Sequence, residues 1–170
     1  MTVPLADLFS QYHPSLVRML YRRTGDRDRA EEIAQEVFAR AVAAPPRNPR
    51  PWLFAVALNL VREQARTAAR QGRRLVLYRA EQPDRTAPPD EELDRAERIS
   101  RVRTALESLT ARDREALLLK AEGFSYPDIA ATLGLAPGAV GTTLARARRR
   151  LVESYRKPAG GTEETNHVAS

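Results

Sequence analysis

Residues 123–150 hold the side chains best suited to chemistry: a helical apolar pattern stops at Gly134, restarts two residues later and ends in Arg146-Ala147-Arg148-Arg149-Arg150. A basic helix after a tight turn is the outline of a helix-turn-helix, whose guanidinium groups suit phosphates and the acceptor edge of guanine. Ser125 stands where an N-cap is needed, with Asp128 three residues later, as in a capping box. Pro127 falls in the first turn, where a missing N–H costs little. Ile129, Ala130 and Leu133 make one apolar face, and Gly134 supplies the permissive backbone of the inter-helix turn. The second helix is expected from near Pro137. Val140, Leu144, Ala147 and Leu151 then face inward, leaving Thr142, Thr143, Arg146 and Arg149 outside, where a recognition helix meets the major groove. A helical hairpin with a solvated arginine face has the same spacing.

Two further sets of residues stand earlier in the chain. From Trp52 onward, Leu53, Val56, Ala57, Leu60 and Val61 are apolar, and Arg62, Arg66, Arg70, Arg73 and Arg74 recur every three or four residues. Like charges so placed repel by a few tenths of a kcal/mol per pair, about 0.2–0.5, so a helix that tolerates them suits a polyanion. Four prolines between Ala44 and Pro51 predict a stiff loop, with a helix beginning at Trp52. The second set is acidic: Glu31, Glu32, Gln35 and Glu36 crowd one face of a helix whose apolar stripe is Ala30, Ile33, Val37, Phe38 and Ala41. Such a face is either solvated or matched to a basic partner.

The elements that position these residues are all helical in pattern. Leu5, Leu8, Phe9, Tyr12, Leu16 and Leu20 form a first stripe, and Thr24-Gly25-Asp26 turns the chain into the acidic helix. Pro83, Pro88 and Pro89, with acid at Asp84, Asp90, Glu91, Glu92 and Asp94, read as an extended linker over residues 71–95. Ile99, Val102, Leu106 and Leu109 open a second unit. Thr110 is placed to cap its next helix, and the helix-turn-helix completes it. The polar, aperiodic stretch after Lys157 reads as disordered. The expected architecture is therefore all-α: two small helical domains, residues 1–70 and 96–157, joined by a flexible acidic linker and followed by a tail over 158–170.

Composition restricts the function. The 170 residues carry 28 Lys plus Arg against 22 Asp plus Glu, a formal net charge of +6, and all the basic residues but Lys120 and Lys157 are arginine. A polyanionic partner follows. With no cysteine, disulfides, zinc ribbons and thiol catalysis are excluded. His13 and His167 are isolated and support no metal site, no cofactor motif appears, and no glycine-rich phosphate loop or paired carboxylates point to an enzyme. No apolar run approaches a membrane helix and no signal peptide opens the chain, so a cytoplasmic protein is expected.

Taken together, these motifs resemble the extracytoplasmic-function (ECF) class of bacterial RNA polymerase sigma factors over about residues 5–155. Arg29-Ala30-Glu31-Glu32-Ile33-Ala34-Gln35-Glu36-Val37-Phe38 is similar to the region 2.2 helix. The stretch from Asn48 and Trp52 to Leu60 is similar to regions 2.3 and 2.4. Arg114-Glu115, Glu122-Gly123-Phe124-Ser125-Tyr126, Ile129-Ala130 and Leu144-Ala145-Arg146-Ala147-Arg148 are similar to region 4. No segment resembles region 1.1 or a region 3 domain.

The resemblance implies that residues 1–70 form region 2 and residues 96–157 form region 4. Glu31, Glu32, Gln35 and Glu36 would dock on the beta-prime clamp helices of core RNA polymerase, with region 4 near the beta flap. Arg47, Asn48, Arg50, Trp52, Asn59, Arg62, Arg66 and Arg70 would meet the minus-ten element, where extruded bases need a rigid loop and arginines for the single-strand backbone. Trp52 at a helix start also fits an inward, packed role, and Asn59 a backbone cap. Ser125, Thr142, Thr143, Arg146 and Arg149 would meet the minus-thirty-five element. An anti-sigma factor is the implied regulator. The alternative is a sigma-mimic adaptor that titrates an anti-sigma factor without binding promoters. In the family's usual pattern Lys or Arg stands near the start of the recognition helix, whereas Ala139, Gly141 and Thr143 stand there in this chain. Gly138 and Gly141 each weaken that helix by roughly 0.5–1 kcal/mol relative to alanine.

Overall fold

The computed structural model describes residues 3–71 and 90–157, and within them the chain is all-α. Helix α1, Leu5–Thr24, ends at Gly25, whose φ of 72° lets its N–H close on the Tyr21 carbonyl at 2.8 Å. Such a left-handed residue carries little penalty only in glycine. Asp26 then caps α2, Arg27–Ala43, its carboxylate accepting from the Arg29 N–H. Helix α3, Pro49–Gln71, starts three residues before the expected Trp52. Pro49 and Pro51 lie in its first turn, where amide hydrogens have no intrahelical acceptor, so the missing N–H groups cost nothing.

Helices α1, α2 and α3 bury Leu16, Met19, Leu20, Ile33, Val37, Leu53, Ala57 and Val61 between them. Two members of the expected first stripe do not join that core. Leu5 and Phe9 are exposed, and Met19 supplies the apolar volume instead. Phe9 lies against the outside of the bundle, stacked on His13 with ring centroids 4.3 Å apart and tilted on Phe38 at 5.0 Å.

The second unit comprises α4 (Asp90–Glu107), α5 (Ala111–Ala121), α6 (Tyr126–Leu133), a 3-10 turn (Pro137–Ala139) and α7 (Val140–Arg156). Helix α4 starts inside the stretch read as linker: Asp90, Glu91 and Glu92 are its first turn. Acid there is stabilised by the helix dipole, by about 0.3–1 kcal/mol per group at an exposed site. The remaining positions of that linker and of the tail, 72–89 and 158–170, lie outside the described residues. Ile99 and Val102 of α4 are exposed, and only Ala105 of the helix is buried, with Leu109 just beyond its end.

The two units share one apolar cluster. Phe54 of α3 and Phe124, in the turn before α6, are fully buried against each other, edge to face at 4.7 Å. Burying such side chains is worth about 1.5–3 kcal/mol each. The N-terminal and C-terminal helices therefore form one closed body.

Candidate nucleic-acid and polymerase surfaces

The helix-turn-helix is built much as its residues require. Ser125 Oγ accepts from the Asp128 N–H at 3.2 Å, and Gly134 ends α6 at φ 65°. The other half of the expected capping box is replaced: the Asp128 carboxylate lies 4.0 Å from Arg50 of α3. Thr110 caps α5 by accepting from the Asp113 N–H. The second helix opens with the 3-10 turn at Pro137 and becomes regular at Val140.

Along α7, Val140, Leu144 and Ala147 are buried as expected, Leu151 is half-buried, and Thr142 and Arg149 are exposed. Thr143 is not on the outer face; it is only 5% exposed. One residue is about 100° of helix, so Thr143 stands nearer the inward line of Val140 and Ala147 than Thr142 does. Its hydroxyl does not belong to a base-reading surface. Arg146 is tethered as well: its Nη2 and Nε donate to the Asp113 carboxylate at 2.7 and 3.2 Å, and Arg150 Nη1 approaches the same group at 3.4 Å. The Arg146 guanidinium, with Arg150 behind it, holds the buried Asp113 carboxyl below the usual carboxylate range. Thr142, Ala145, Arg148, Arg149 and Arg150 are the exposed positions of this stretch, Arg150 being the one drawn toward Asp113. Apolar spacing alone does not single out Arg148.

The minus-ten candidates divide into two groups. Arg47, Asn48, Asn59, Arg66 and Arg70 are exposed, in the loop and along the outer side of α3. Arg50, Trp52 and Arg62 are half-buried. Trp52 packs against the core cluster with its ring. Arg62 donates to both oxygens of Glu115 in α5, from Nε at 2.8 Å and from Nη2, and its Nη1 reaches Asn59 Oδ1 at 3.0 Å. Arg50 lies over the Phe124 ring, 4.1 Å from its centre, and donates to the Glu122 carbonyl at 2.9 Å.

On α2, Glu32, Gln35 and Glu36 are exposed side by side, and Glu36 pairs with Arg40 one turn on. Glu31 stands apart from them, half-buried, with Oε2 3.1 Å from His13 Nε2. The residues that sequence spacing missed are Glu115 and Glu122, with Arg18 and Arg22 of α1. Glu122 receives Arg18 Nη2 at 2.7 Å and Arg22 Nη1 at 3.0 Å. No local periodicity marks a partner a hundred residues away.

An all-helical body with a basic second helix in its helix-turn-helix, an arginine-bearing third helix and a separate acidic face has the make-up of a DNA-binding protein. Comparison with known proteins gives the class its family. Residues 8–71 match Sigma-70 region 2 and residues 99–151 match Sigma-70, region 4. The chain is 35% identical to the ECF RNA polymerase sigma factor EcfG of Rhodopseudomonas palustris, over 81% of this chain and 77% of that protein. It is 34% identical to SigC of Mycobacterium tuberculosis, over 72% and 68%. Among solved structures it is similar to the sigma factor RpoE of Bartonella quintana in complex with the anti-sigma factor NepR: TM-score 0.62, 26% identity, covering 91% of this chain and 98% of that one. CnrH in complex with the cytosolic domain of CnrY gives 0.63 at 26% identity, over 88% and 85%. The chain belongs to the ECF family of RNA polymerase sigma factors. No described helix is long and apolar enough to cross a membrane.

Proposed function

We propose that this chain docks on core RNA polymerase through Glu32, Gln35 and Glu36 of α2 and directs it to two-part promoters. The arginines of α3 and the loop residues Arg47 and Asn48 hold the minus-ten strand, and α7 meets the minus-thirty-five element through Thr142, Arg148 and Arg149, with Arg146 held in register by Asp113. The observation that carries this reading is the segregation of charge. Glu32, Gln35 and Glu36 stand exposed on one helix, while exposed arginines line two others. Opposite charge on separate faces lets one body meet a basic protein surface and a polyanion without the two competing. Retention of the α3 arginines favours a promoter-binding factor over an adaptor that only titrates an anti-sigma factor. Regulation by an anti-sigma factor is supported by the complexes in which the similar RpoE and CnrH chains were solved. Catalysis then stays with the polymerase, and this chain acts in the cytoplasm.

The test is run-off transcription of a genomic fragment library by bacterial core polymerase with and without this protein, with transcript starts sequenced. New starts sharing a two-part upstream element are expected. Demonstrated core binding with no new starts would move the weight to the adaptor.

A further inference from the structure

We propose that Arg23 of α1 and Arg114 of α5, with Arg29 of α2 beside them, form a site for a small phosphate-type anion where α1 packs on α5 and turns into α2. None of the three is among the residues assigned to polymerase or to promoter DNA. Other guanidiniums of the chain show what these lack. Arg18, Arg62 and Arg146 each present the same edge, Nε with Nη2, to a carboxylate: Glu122, Glu115 and Asp113 respectively. Arg50, half-buried like Arg62 and Arg146, stands 4.0 Å from the Asp128 carboxylate. Arg23, Arg29 and Arg114 are half-buried too, yet among the described residues none has a carboxylate within that distance. Arg103 shares that lack but is packed otherwise, its guanidinium lying on Gly25 where an added Cβ would be 2.9 Å away.

The deficit is visible at single atoms. The Nε of Arg23 and the Nε of Arg114 are shielded from solvent without a hydrogen-bond acceptor, and no other side-chain nitrogen or oxygen among the described residues is left so. Their Nη groups, outside that shielded set, stay open to solvent. A native fold rarely leaves a buried donor unmet, and a half-buried cation without a counter-ion is costly. Burial first, and then the charge of Arg114, lower the Arg23 pKa, and Arg29 lowers it further. Glu115 and Glu107 oppose this by their charge, but both oxygens of Glu115 are taken by Arg62 and Glu107 is exposed. Arg29 is held in place by Gln64, whose Oε1 accepts its Nε at 2.8 Å. That leaves the Arg29 Nη groups for another acceptor.

An anion with several acceptor oxygens answers all of these at once. The vacant Nε and Nη2 edge of an arginine is a fork that pairs bidentately with phosphate as it does with carboxylate. Three guanidiniums against one exposed, unpaired acid favour a ligand with two or more negative charges, of the pyrophosphate kind, over a monovalent anion. Half-burial between packed helices admits a terminal phosphoryl group and excludes a continuous nucleic-acid strand, whose phosphates are flanked by sugars on both sides. Such a ligand ties the turn from α1 to α2 onto α5. Because it needs all three side chains in place, it binds the folded chain and not the unfolded one, and stabilises the fold by mass action.

The probe is inorganic pyrophosphate, added to the full chain and read by titration calorimetry and thermal melting at an ionic strength held constant with potassium chloride. Wild type is expected to bind it saturably at a single site, and at about a hundred times the dissociation constant the folded-to-unfolded ratio should rise about a hundredfold. Without the anion, Arg23→Gln should melt at or above wild type, because it removes a half-buried cation that has no partner. With saturating pyrophosphate that order should reverse, which a merely structural arginine does not produce. Arg114→Gln makes the same test from the other helix. Each substitution should weaken pyrophosphate binding by about tenfold or more, through loss of charge-assisted hydrogen bonds. Arg66→Gln with Arg149→Gln, both positions exposed, should leave it unchanged. Absence of saturable binding to wild type overturns the site. Equal binding by wild type and both single glutamine variants overturns it as well, and places the anion on the exposed arginines.

Discussion

Replacing Asp113 by asparagine should loosen region 4 in a way that depends on pH with a definite sign. The carboxylate is fully buried, accepts two hydrogen bonds from Arg146 and lies 3.4 Å from Arg150. Both arginines keep access to water, so the variant leaves no charge stranded in the interior, and the 3–5 kcal/mol cost of a half-broken buried pair does not apply. What is lost is a set of charge-assisted hydrogen bonds, about 1.5–3 kcal/mol. For a chain of this size, about 2 kcal/mol corresponds to a fall of roughly 4–8 °C in melting temperature. The native Asp113 pKa is depressed, chiefly by the hydrogen bonds from Arg146. Its stabilisation is therefore complete above the unfolded carboxylate pKa of about 3.9 and is lost as pH falls through the lower native value. Melting wild type and Asp113→Asn by circular dichroism between pH 7 and pH 2.5 should show a constant gap down to about pH 5 that closes in acid. A gap that persists undiminished at the acid end would show that the carboxylate's charge is not what holds α5 to α7.

Other perturbations separate the surfaces. Arg62→Ala with Arg66→Ala should weaken promoter opening in permanganate footprinting more than it weakens core binding, whereas Glu32→Arg with Glu36→Arg should do the reverse; equal loss of core binding in both would refute the division of labour. Phe124→Ala removes a fully buried ring that touches Phe54 and Arg50, and about 3–5 kcal/mol of stability should go with it, read by urea titration. Ser125→Ala should cost about 1 kcal/mol by loss of the α6 cap, with the minus-thirty-five sequence preference of the holoenzyme unchanged. A changed preference would make Ser125 a DNA contact as well as a cap.

Local chemistry was legible in the sequence; distant pairing was not. Gly25, Asp26, Thr110, Ser125 and Gly134 each act within four residues of themselves, and each stands where its residue type said it would. Periodicity found the core sides of α2, α3 and α7. It misplaced Thr143 because a threonine beside a polar position reads as surface until the 100° step is measured against the buried line. Leu5, Phe9, Ile99 and Val102 failed for a different reason: an apolar stripe says that a face is hydrophobic, and only packing says whether a helix covers it. The proline rule was over-applied at Pro49 and Pro51, which a helix interior rejects but a first turn accepts. Nothing local marks Arg62 for Glu115 or Arg18 for Glu122.

That last gap bears on how an arginine-rich DNA-binding chain should be read. A count of arginines on one face overstates the charge offered to a polyanion, because each guanidinium already holding a carboxylate must exchange one anion for another. On the proposed surfaces Arg62, paired with Glu115, would gain from phosphate only the difference between phosphate and that carboxylate, whereas exposed Arg66, Arg70, Arg148 and Arg149 would gain in full and release counterions. The salt dependence of DNA binding therefore reports which arginines are engaged. If Glu115 and Glu122 hold their partners in the free chain, the slope of log K against log salt for oligo(dT) should steepen in the Glu115→Gln, Glu122→Gln variant, by about 0.7 for each phosphate newly neutralised on a single strand. An identical slope in variant and wild type would mean that the covered arginines never reach the phosphates.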